Sequence, residues 1–249
     1  MSRRVLSVIL SVILIITMMP FTSYAASTSK SIFSAVEKGK SVKPKTYTHS
    51  DIVDGLTVHH GVDVSEHQGK INWAKAKKSG VEFAIIRVGC RRLASGQFKE
   101  DDYFYQNMEG AINAGIKVGV YFYSGATTKK EAVKEADYVL KRIKGYNMAF
   151  MNKVKKAGYT PMVYTYRNLM NNYLYPQKFV YGGYGIWIAD YNTVCKFTYP
   201  YVSWQYTSSG KVPGISKKKK GKWSTADCNF WYDDGTYFDK TSESVQESQ

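Results

Sequence analysis

From Val58 onward, short apolar runs alternate with runs whose apolar residues recur at helical spacing, and this alternation constrains the fold more than any other feature. "VHHGVDVS" (58–65), "EFAIIRVG" (82–89) and "KVGVYFYS" (117–124) read as strands. "INWAKAKKSG" (71–80), "DDYFYQNMEGAINAG" (101–115) and "TTKKEAVKEADYVLKRIKG" (127–145) read as helices that stop at Gly80, Gly115 and Gly145. The third has Thr127 or Thr128 as its N-cap and places Ala132, Ala136, Val139, Leu140 and Ile143 near one face. The unbroken apolar middle of 82–89 suggests a strand buried on both sides. The pattern predicts an α/β chain of parallel strands joined by right-handed crossovers, open or closed into a barrel. In such folds the chemistry gathers at the C-terminal ends of the strands.

The alternation fails after Gly145. "AFMNKVKKAG" (149–158) reads as the back half of another helix and "TPMVYTY" (160–166) as a strand, so two helical segments meet across "YNM" with no strand between them. Strands 117–124 and 160–166 must then pair directly, or leave backbone groups unsatisfied. A direct join of the two helical segments into one long helix is a further outcome, with Gly145 its weak point. "YGIWIADY" (184–191), "YPYVSWQYT" (199–207) and "STADCNFWY" (224–232) follow as aromatic-rich strands joined by loops.

The ends differ from this middle. Arg3 and Arg4 precede an apolar run from Val5 to Phe21 and the small residues of Ser23-Tyr24-Ala25, which is the secretory signal pattern over 1–25; at this length the run also suits a short membrane anchor. Residues 26–57 are polar and mixed and read as a linker or loosely docked arm; 58–239 form the folded domain and 240–249 a polar tail. Loss of the signal lowers the formal charge from +15 to +13. A secreted chain so basic is drawn to anionic wall polymers, and secretion argues against nucleic acid as the partner. "KKKK" (217–220) is a solvated loop or a grip on such a polyanion. Three cysteines, Cys90, Cys195 and Cys228, make no disulfide framework, although one bridge such as Cys195–Cys228 is open. No CxxC or His/Cys cluster suggests a metal site.

Candidate chemistry rests on carboxylates. Asp63 lies in an apolar strand, where a bare carboxylate is costly and must be hydrogen-bonded or functional. Asp190 ends "IWIAD" and Asp227 lies in "TADCNF". Three acids converging on one barrel mouth without metal-spaced histidines suit glycoside hydrolysis, which needs a protonated acid at the leaving oxygen and a second carboxylate that stabilises or attacks. Tyr121, Tyr123, Tyr164, Tyr166, Trp187, Tyr191, Trp204 and Tyr206 offer the stacking faces and hydroxyls of a sugar site, though each alone is as well placed in a core. His60 reads as core, and His67 as a group lining the cleft.

"GVDVSEHQGKINWAKAKKSGVEFAIIRVG", followed in order by "GVYFYSGATTKKEAVKEADYVL", "AGYTPMVYTY", "IWIADY" and "VSWQYTSSGKVPGI…ADCNFW", resembles the family-25 glycoside hydrolases, the Chalaropsis-type lysozymes, over roughly residues 58–232. The resemblance implies a secreted, monomeric muramidase that cuts the β-1,4 bond between N-acetylmuramic acid and N-acetylglucosamine in peptidoglycan. It also implies an irregular, flattened, TIM-like β/α barrel with no metal or organic cofactor and, once the signal is removed, no stable membrane partner. Asp63 matches the acid of the family's first strand and Asp227 the acid of its last-strand Asp-x-Asn motif. Asp190 matches a position after the tryptophan-bearing strand where the acid is less constant. Tyr121, Tyr123, Tyr164, Trp187, Tyr191 and Gln205 are the substrate-binding candidates. The family's fourth strand ends in an Asp-x-Glu pair whose Glu is the expected general acid, and no such pair follows Lys144 here. The resemblance therefore implies a barrel lacking its fourth strand, with Glu66 or Asp190 as the nearest replacement acids. Without the family's acid, the same cleft suits a non-catalytic wall-binding protein.

Overall fold

The computed structural model describes residues 27–144 and 161–235. Its strands are β1 (Thr28–Lys30), β2 (Ser34–Glu37), β3 (Lys40–Val42), β4 (Thr46–Thr48), β5 (Thr57–Val64), β6 (Phe83–Arg91), β7 (Phe98–Glu100), β8 (Lys117–Tyr123), β9 (Met162–Tyr166), β10 (Gly185–Ala189), β11 (Ser203–Lys211), β12 (Lys218–Lys219), β13 (Lys222–Trp223) and β14 (Ala226–Asp233). Its helices are α1 (Trp73–Lys78), α2 (Phe104–Asn113), α3 (Lys129–Ile143), α4 (Arg167–Tyr173) and α5 (Pro176–Tyr181). The helix expected over 149–158, the join at 145–149, the signal segment and the C-terminal tail lie outside the described residues.

The main sheet runs β8-β6-β5-β14-β11-β10-β9. β8, β6 and β5 are mutually parallel, as are β11, β10 and β9, and β14 is antiparallel to both its neighbours. The predicted parallel βα succession therefore holds from β5 to β8. The row is open: among the described residues no ladder joins β8 to β9, so the direct pairing expected across the break is not formed and no closed barrel is seen. Two short helices, α4 and α5, stand between β9 and β10 where the sequence suggested a loop; Pro176 at the first turn of α5, where it needs no hydrogen bond, starts the second of them.

Local sequence explains the helix ends. The Asn72 side chain accepts the Lys75 amide at the start of α1. Thr128 and Glu131 form a reciprocal capping box on α3. α2 begins at Phe104, and Asp101 just before it accepts the Tyr103 amide on Oδ1 and the Phe104 amide on its carbonyl, both at 3.0 Å. Ala132 and Ala136, placed by spacing on the buried face of α3, are exposed. The helix is rotated so that buried Glu135 accepts Ser124 Oγ at 2.6 Å and the Gly125 amide at 3.1 Å, which ties α3 to the end of β8.

Alternation along the strands separates two apolar layers. Val62, Val64, Ala84, Ile86, Val88, Ile186, Ile188, Trp204, Tyr206 and Phe230 belong to the large core on one face. Phe83, Ile85, Trp187 and Trp231 form a small cluster on the other. Gly61 makes the second cluster possible: a Cβ there would stand 2.5 Å from the Phe83 ring.

The stretch expected to be a linker is part of the fold. β1 pairs with β4, and the β2–β3 hairpin adds to the far end of β11. Phe33, Tyr47, His49 and Val53 are buried. Tyr47 meets Trp204 at 5.6 Å, Tyr206 at 4.5 Å and Phe230 at 5.6 Å between ring centroids, and His49 Nδ1 lies 2.9 Å from the Tyr232 hydroxyl. A few well-spaced aromatic residues in an otherwise polar stretch thus cover the back of the sheet. Cys195 and Cys228 are free buried thiols, not a bridge: Cys228 sits beside Tyr206 and Cys195 beside Tyr201. "KKKK" lies in a β-hairpin, β12–β13, in place of an irregular loop.

Because Tyr47 plugs an aromatic layer, Tyr47→Ala is expected to cost about 3–5 kcal/mol of stability, the range for emptying a buried aromatic site. Urea unfolding followed by tryptophan fluorescence checks this; a change below about 1 kcal/mol would mean that the arm does not support the core.

Candidate active site

β5 and β14 run antiparallel, and their register sets Asp63 directly opposite Asp227. Asp63 is at the C-terminal end of β5, as the fold rule predicts. The two carboxyl groups are hydrogen-bonded to each other. Gln205 of β11 donates its Nε2 to Asp63 Oδ2 at 2.7 Å and to Asp227 Oδ2 at 3.3 Å. Asn229, two residues beyond Asp227 on the same face of β14, donates to Asp63 Oδ2 at 2.9 Å.

Both amides are oriented by aromatic donors. The Tyr164 and Tyr191 hydroxyls donate to Gln205 Oε1 at 2.8 and 2.7 Å, and Trp187 Nε1 donates to Asn229 Oδ1 at 2.8 Å. With each amide oxygen accepting, each amide nitrogen must point at the acids. Tyr164 packs on Trp187 with centroids 4.4 Å apart, and Tyr121 meets the same ring edge-on at 6.2 Å. Asp63, Asp227, Gln205, Tyr164, Tyr191, Trp187 and Tyr121 therefore converge in one site. Tyr123, 60% exposed at the end of β8, stands outside this network.

Burial controls the electrostatics. Desolvation pushes Asp63 up to about 6, against the lowering effect of its hydrogen bonds from Asn229 and Gln205. Asp227 is pushed up to about 8, by burial first and then by the Asp63 charge beside it. Two carboxyls in contact cannot both ionise cheaply, so the pair retains one proton at neutral pH. Burial, then the Asp63 charge, also raises Tyr121, which stays a neutral phenol.

Other candidates fall elsewhere. Asp190 shares the pleat of Ile186 and Ile188, opposite to Trp187. It forms an ion pair with Arg167 at 2.9 Å and accepts the Lys196 amide and the Asn192 side chain, so it fixes the turn after β10 and is not joined to the acid pair. Glu66 is held by Lys99 at 2.6 Å and Arg87 at 2.9 Å, and the Lys99 hydrogen bond keeps its carboxyl below the usual range. A carboxylate held ionised has no proton to give, so Glu66 does not replace a general acid. His67 is exposed; His60 packs edge-on against Phe230, and burial lowers its pKa.

Two features escaped the sequence reading. Asn229 is one: the Asp-x-Asn motif contains it, but the local sequence does not show that its side chain donates to Asp63. The other is the cluster at the mouth in which Arg87 bridges Glu66 and Asp101, with Asp101 also accepting the Glu66 amide at 2.9 Å. A lone arginine in "AIIRVG", two residues past Ile85, marked it.

The acid pair can lend and recover a proton on one side of a bound sugar. Glycosidase carboxyls that flank a bond are about 5–5.5 Å apart when retaining and about 6.5–9.5 Å when inverting. Asp63 and Asp227 both reach the one Gln205 amide nitrogen, at 2.7 and 3.3 Å, so they act as a close pair and not as two acids held apart. β8 and β9, at the open edges, contain no Asp or Glu.

The sign of the pH effect follows from the raised values. Free carboxyls titrate near pH ~4, so the pair's contribution to stability is complete below that and is lost as pH rises through about 6 and about 8. Asp227→Asn removes the Asp227 share of this loss. Its melting temperature relative to the unmodified protein is expected to rise steadily over that window, and a difference that stays flat with pH refutes the shared proton.

A profile of the family described as Glycosyl hydrolases family 25 matches residues 62–149 and 141–215. The autolytic lysozyme of Clostridium acetobutylicum is 26% identical over 181 residues, 63% of this chain and 52% of the relative. Lysozyme M1 of Streptomyces globisporus is 37% identical over 78 residues, 31% of this chain and 24% of the relative. The chain thus spans about half, or less, of the length of these curated relatives. The modular autolysin LytC from Streptococcus pneumoniae, solved in complex with a synthetic peptidoglycan ligand, has a TM-score of 0.53 and 26% identity over 70% of this chain and 47% of its own. The bacterial lysozyme from Streptomyces coelicolor has a TM-score of 0.54 and 22% identity over 72% of this chain and 95% of its own. With the profile matched over more than half of the chain, the chain belongs to glycoside hydrolase family 25.

Proposed function

We propose that this protein acts on the glycan strands of peptidoglycan as a secreted β-1,4-N-acetylmuramidase of the cell wall. Residues 1–25 are its signal peptide, and it works as a monomer. The observation that carries the reading is the Asp63–Asp227 pair, set opposite each other across the β5–β14 ladder and aimed by Gln205 and Asn229, where burial favours one retained proton. The protonated member gives its proton to the leaving glycosidic oxygen as the bond to the anomeric carbon breaks. The ionised member stabilises the positive charge that develops on the sugar. Water then adds to that carbon, and its proton returns to the pair. Tyr164, Tyr191 and Tyr121 line the sugar's path, with Tyr123 beyond them at the rim.

The reaction is slow in this reading. Family-25 barrels carry an Asp-x-Glu pair on a fourth strand; residues 145–160 contain no acid, and the family match divides at 141–149, where the strand–helix alternation fails. An irregular barrel lacking that strand is consistent with the open edges of β8 and β9. Loss of one general acid typically removes about 10²–10⁴-fold of rate. The same observation favours a second reading, in which the cleft binds wall glycan without cutting it. In both readings the strongly basic chain is drawn to anionic polymers of the wall.

Release of new reducing ends from purified peptidoglycan separates the two. Slow release by the protein, reduced at least ~100-fold in Asp63→Asn, supports the muramidase. Release no greater than that of Asp63→Asn, with co-sedimentation on peptidoglycan retained, establishes the binder and excludes the enzyme.

A further inference from the structure

The fold gathers three separate acid-free stretches beside the mouth of the cleft. Residues 38–50, 67–80 and 206–225 contain four, four and six lysines and neither Asp nor Glu. These fourteen lysines nearly equal the whole formal excess of +15, so the charge is concentrated and not spread evenly. The structure brings the stretches into contact. The Lys211 ammonium lies 3.4 Å from Ser41 Oγ on β3 and 4.2 Å from the centre of the Trp223 ring on β13, so one side chain bridges both hairpins. The Asn72 amide donates to the Gly214 carbonyl at 2.9 Å, and Lys217 donates to the Lys70 carbonyl, which attaches the start of α1. Gly210, next to Lys211, is paired with Ala226, next to Asp227. Lys211 and Asp227 therefore lie on either side of this pair, two positions apart along the ladder.

Two turns distinguish this face from an ordinary solvated lysine run. The β2–β3 and β12–β13 hairpins each close with Lys-Gly, and both residues have positive φ: Lys38 at 48° and Gly39 at 77°, Lys220 at 49° and Gly221 at 78°. Lys38 and Lys220 are the non-glycine residues in the left-handed region among the described residues. Asn, Asp or Gly fits the first position of such a turn at less cost. Lysine there costs backbone energy and places an exposed cation at the tip of each hairpin. Some of the fourteen are used otherwise: Lys45 is neutralised by Glu37, and Lys77 turns to the Gly115 carbonyl.

We propose that the two hairpins, joined through Lys211, form a second binding surface that takes a polymer of repeating phosphodiesters, seating a wall-linked anionic polymer while the neighbouring cleft meets the glycan. The choice of a wall polymer rests on the wall-directed function proposed above; the surface itself does not. Cations at the hairpin tips and along Lys217, Lys218 and Lys222 match a linear array of phosphates.

The test uses the full chain without its first 25 residues and a poly(glycerol phosphate) probe. Binding is expected to weaken as salt rises from low to physiological strength, because exposed charges are screened within about 8–10 Å. Lys217→Gln/Lys218→Gln/Lys220→Gln/Lys222→Gln is expected to lose ~10-fold or more of this binding, and to bind native walls no better than walls stripped of phosphate polymer. Its melting temperature is expected to fall only slightly, through loss of the Lys217 contact to the Lys70 carbonyl, since these side chains are exposed. Lys220→Asn, which relieves the turn, is expected to raise the melting temperature while weakening polymer binding. Unchanged polymer binding by the quadruple variant overturns the proposal. So does tighter binding to phosphatidylglycerol vesicles than to the polymer, which would make the face a lipid-binding one. Asp63→Asn is expected to bind the polymer normally, so failure of the cleft reading and failure of this one are told apart.

Discussion

The antiparallel ladder between β5 and β14 is the constraint on which the site depends. Its register sets Asp63 opposite Asp227, and every polar group around them answers the cost of two buried carboxyls in contact. One proton between them removes half of the charge. Gln205 and Asn229 supply donors to what remains, and Tyr164, Tyr191 and Trp187 hold those amides the right way round. A shift of one residue in this ladder would turn Asp63 into the large core and bring Val62 or Val64 into the cleft, because strand side chains alternate in face.

Packing beneath the acids makes the ladder's chemistry possible. Phe83 lies against Gly61, and Ile85, Trp187 and Trp231 complete the plug. This apolar floor excludes water from the lower side of the pair and accounts for the strong desolvation of both carboxyls. Arg87, one pleat above Ile85, marks where the floor ends and the polar mouth begins; its charge is spent on Glu66 and Asp101 and not on the pair. The acids therefore keep their shared proton with a guanidinium nearby. On the other face, the N-terminal strands close the large core with Tyr47 and His49, so the arm contributes to the sheet that carries the site.

Much of this was legible in the residues. Strands and helices from β5 to α3 follow the alternation closely, because each apolar run is bounded by a cap or a glycine. Asp63, Asp227 and the inward aromatics were readable from polar residues at the ends of apolar runs. The arm was misread because its strands are three or four residues long and its few buried groups, Phe33, Tyr47 and His49, are spaced too widely to make a periodic signal. Asp190 had the same sequence setting as Asp63, an acid closing an apolar strand, yet one faces the cleft and the other an arginine.

The order of elements, the family, the excess of lysine and the lack of an acid between Lys144 and Pro161 are properties of residues in a line and need no coordinates. Tertiary structure decided which carboxyls meet, which acid is spent in ion pairs, and which lysines from three distant stretches become one face. These depend on strand register and on what each side chain finds across the sheet, and a proton shared between residues 63 and 227 has no counterpart in local sequence. Among the described residues β8 and β9 do not pair with each other, a point that the line of residues alone leaves open.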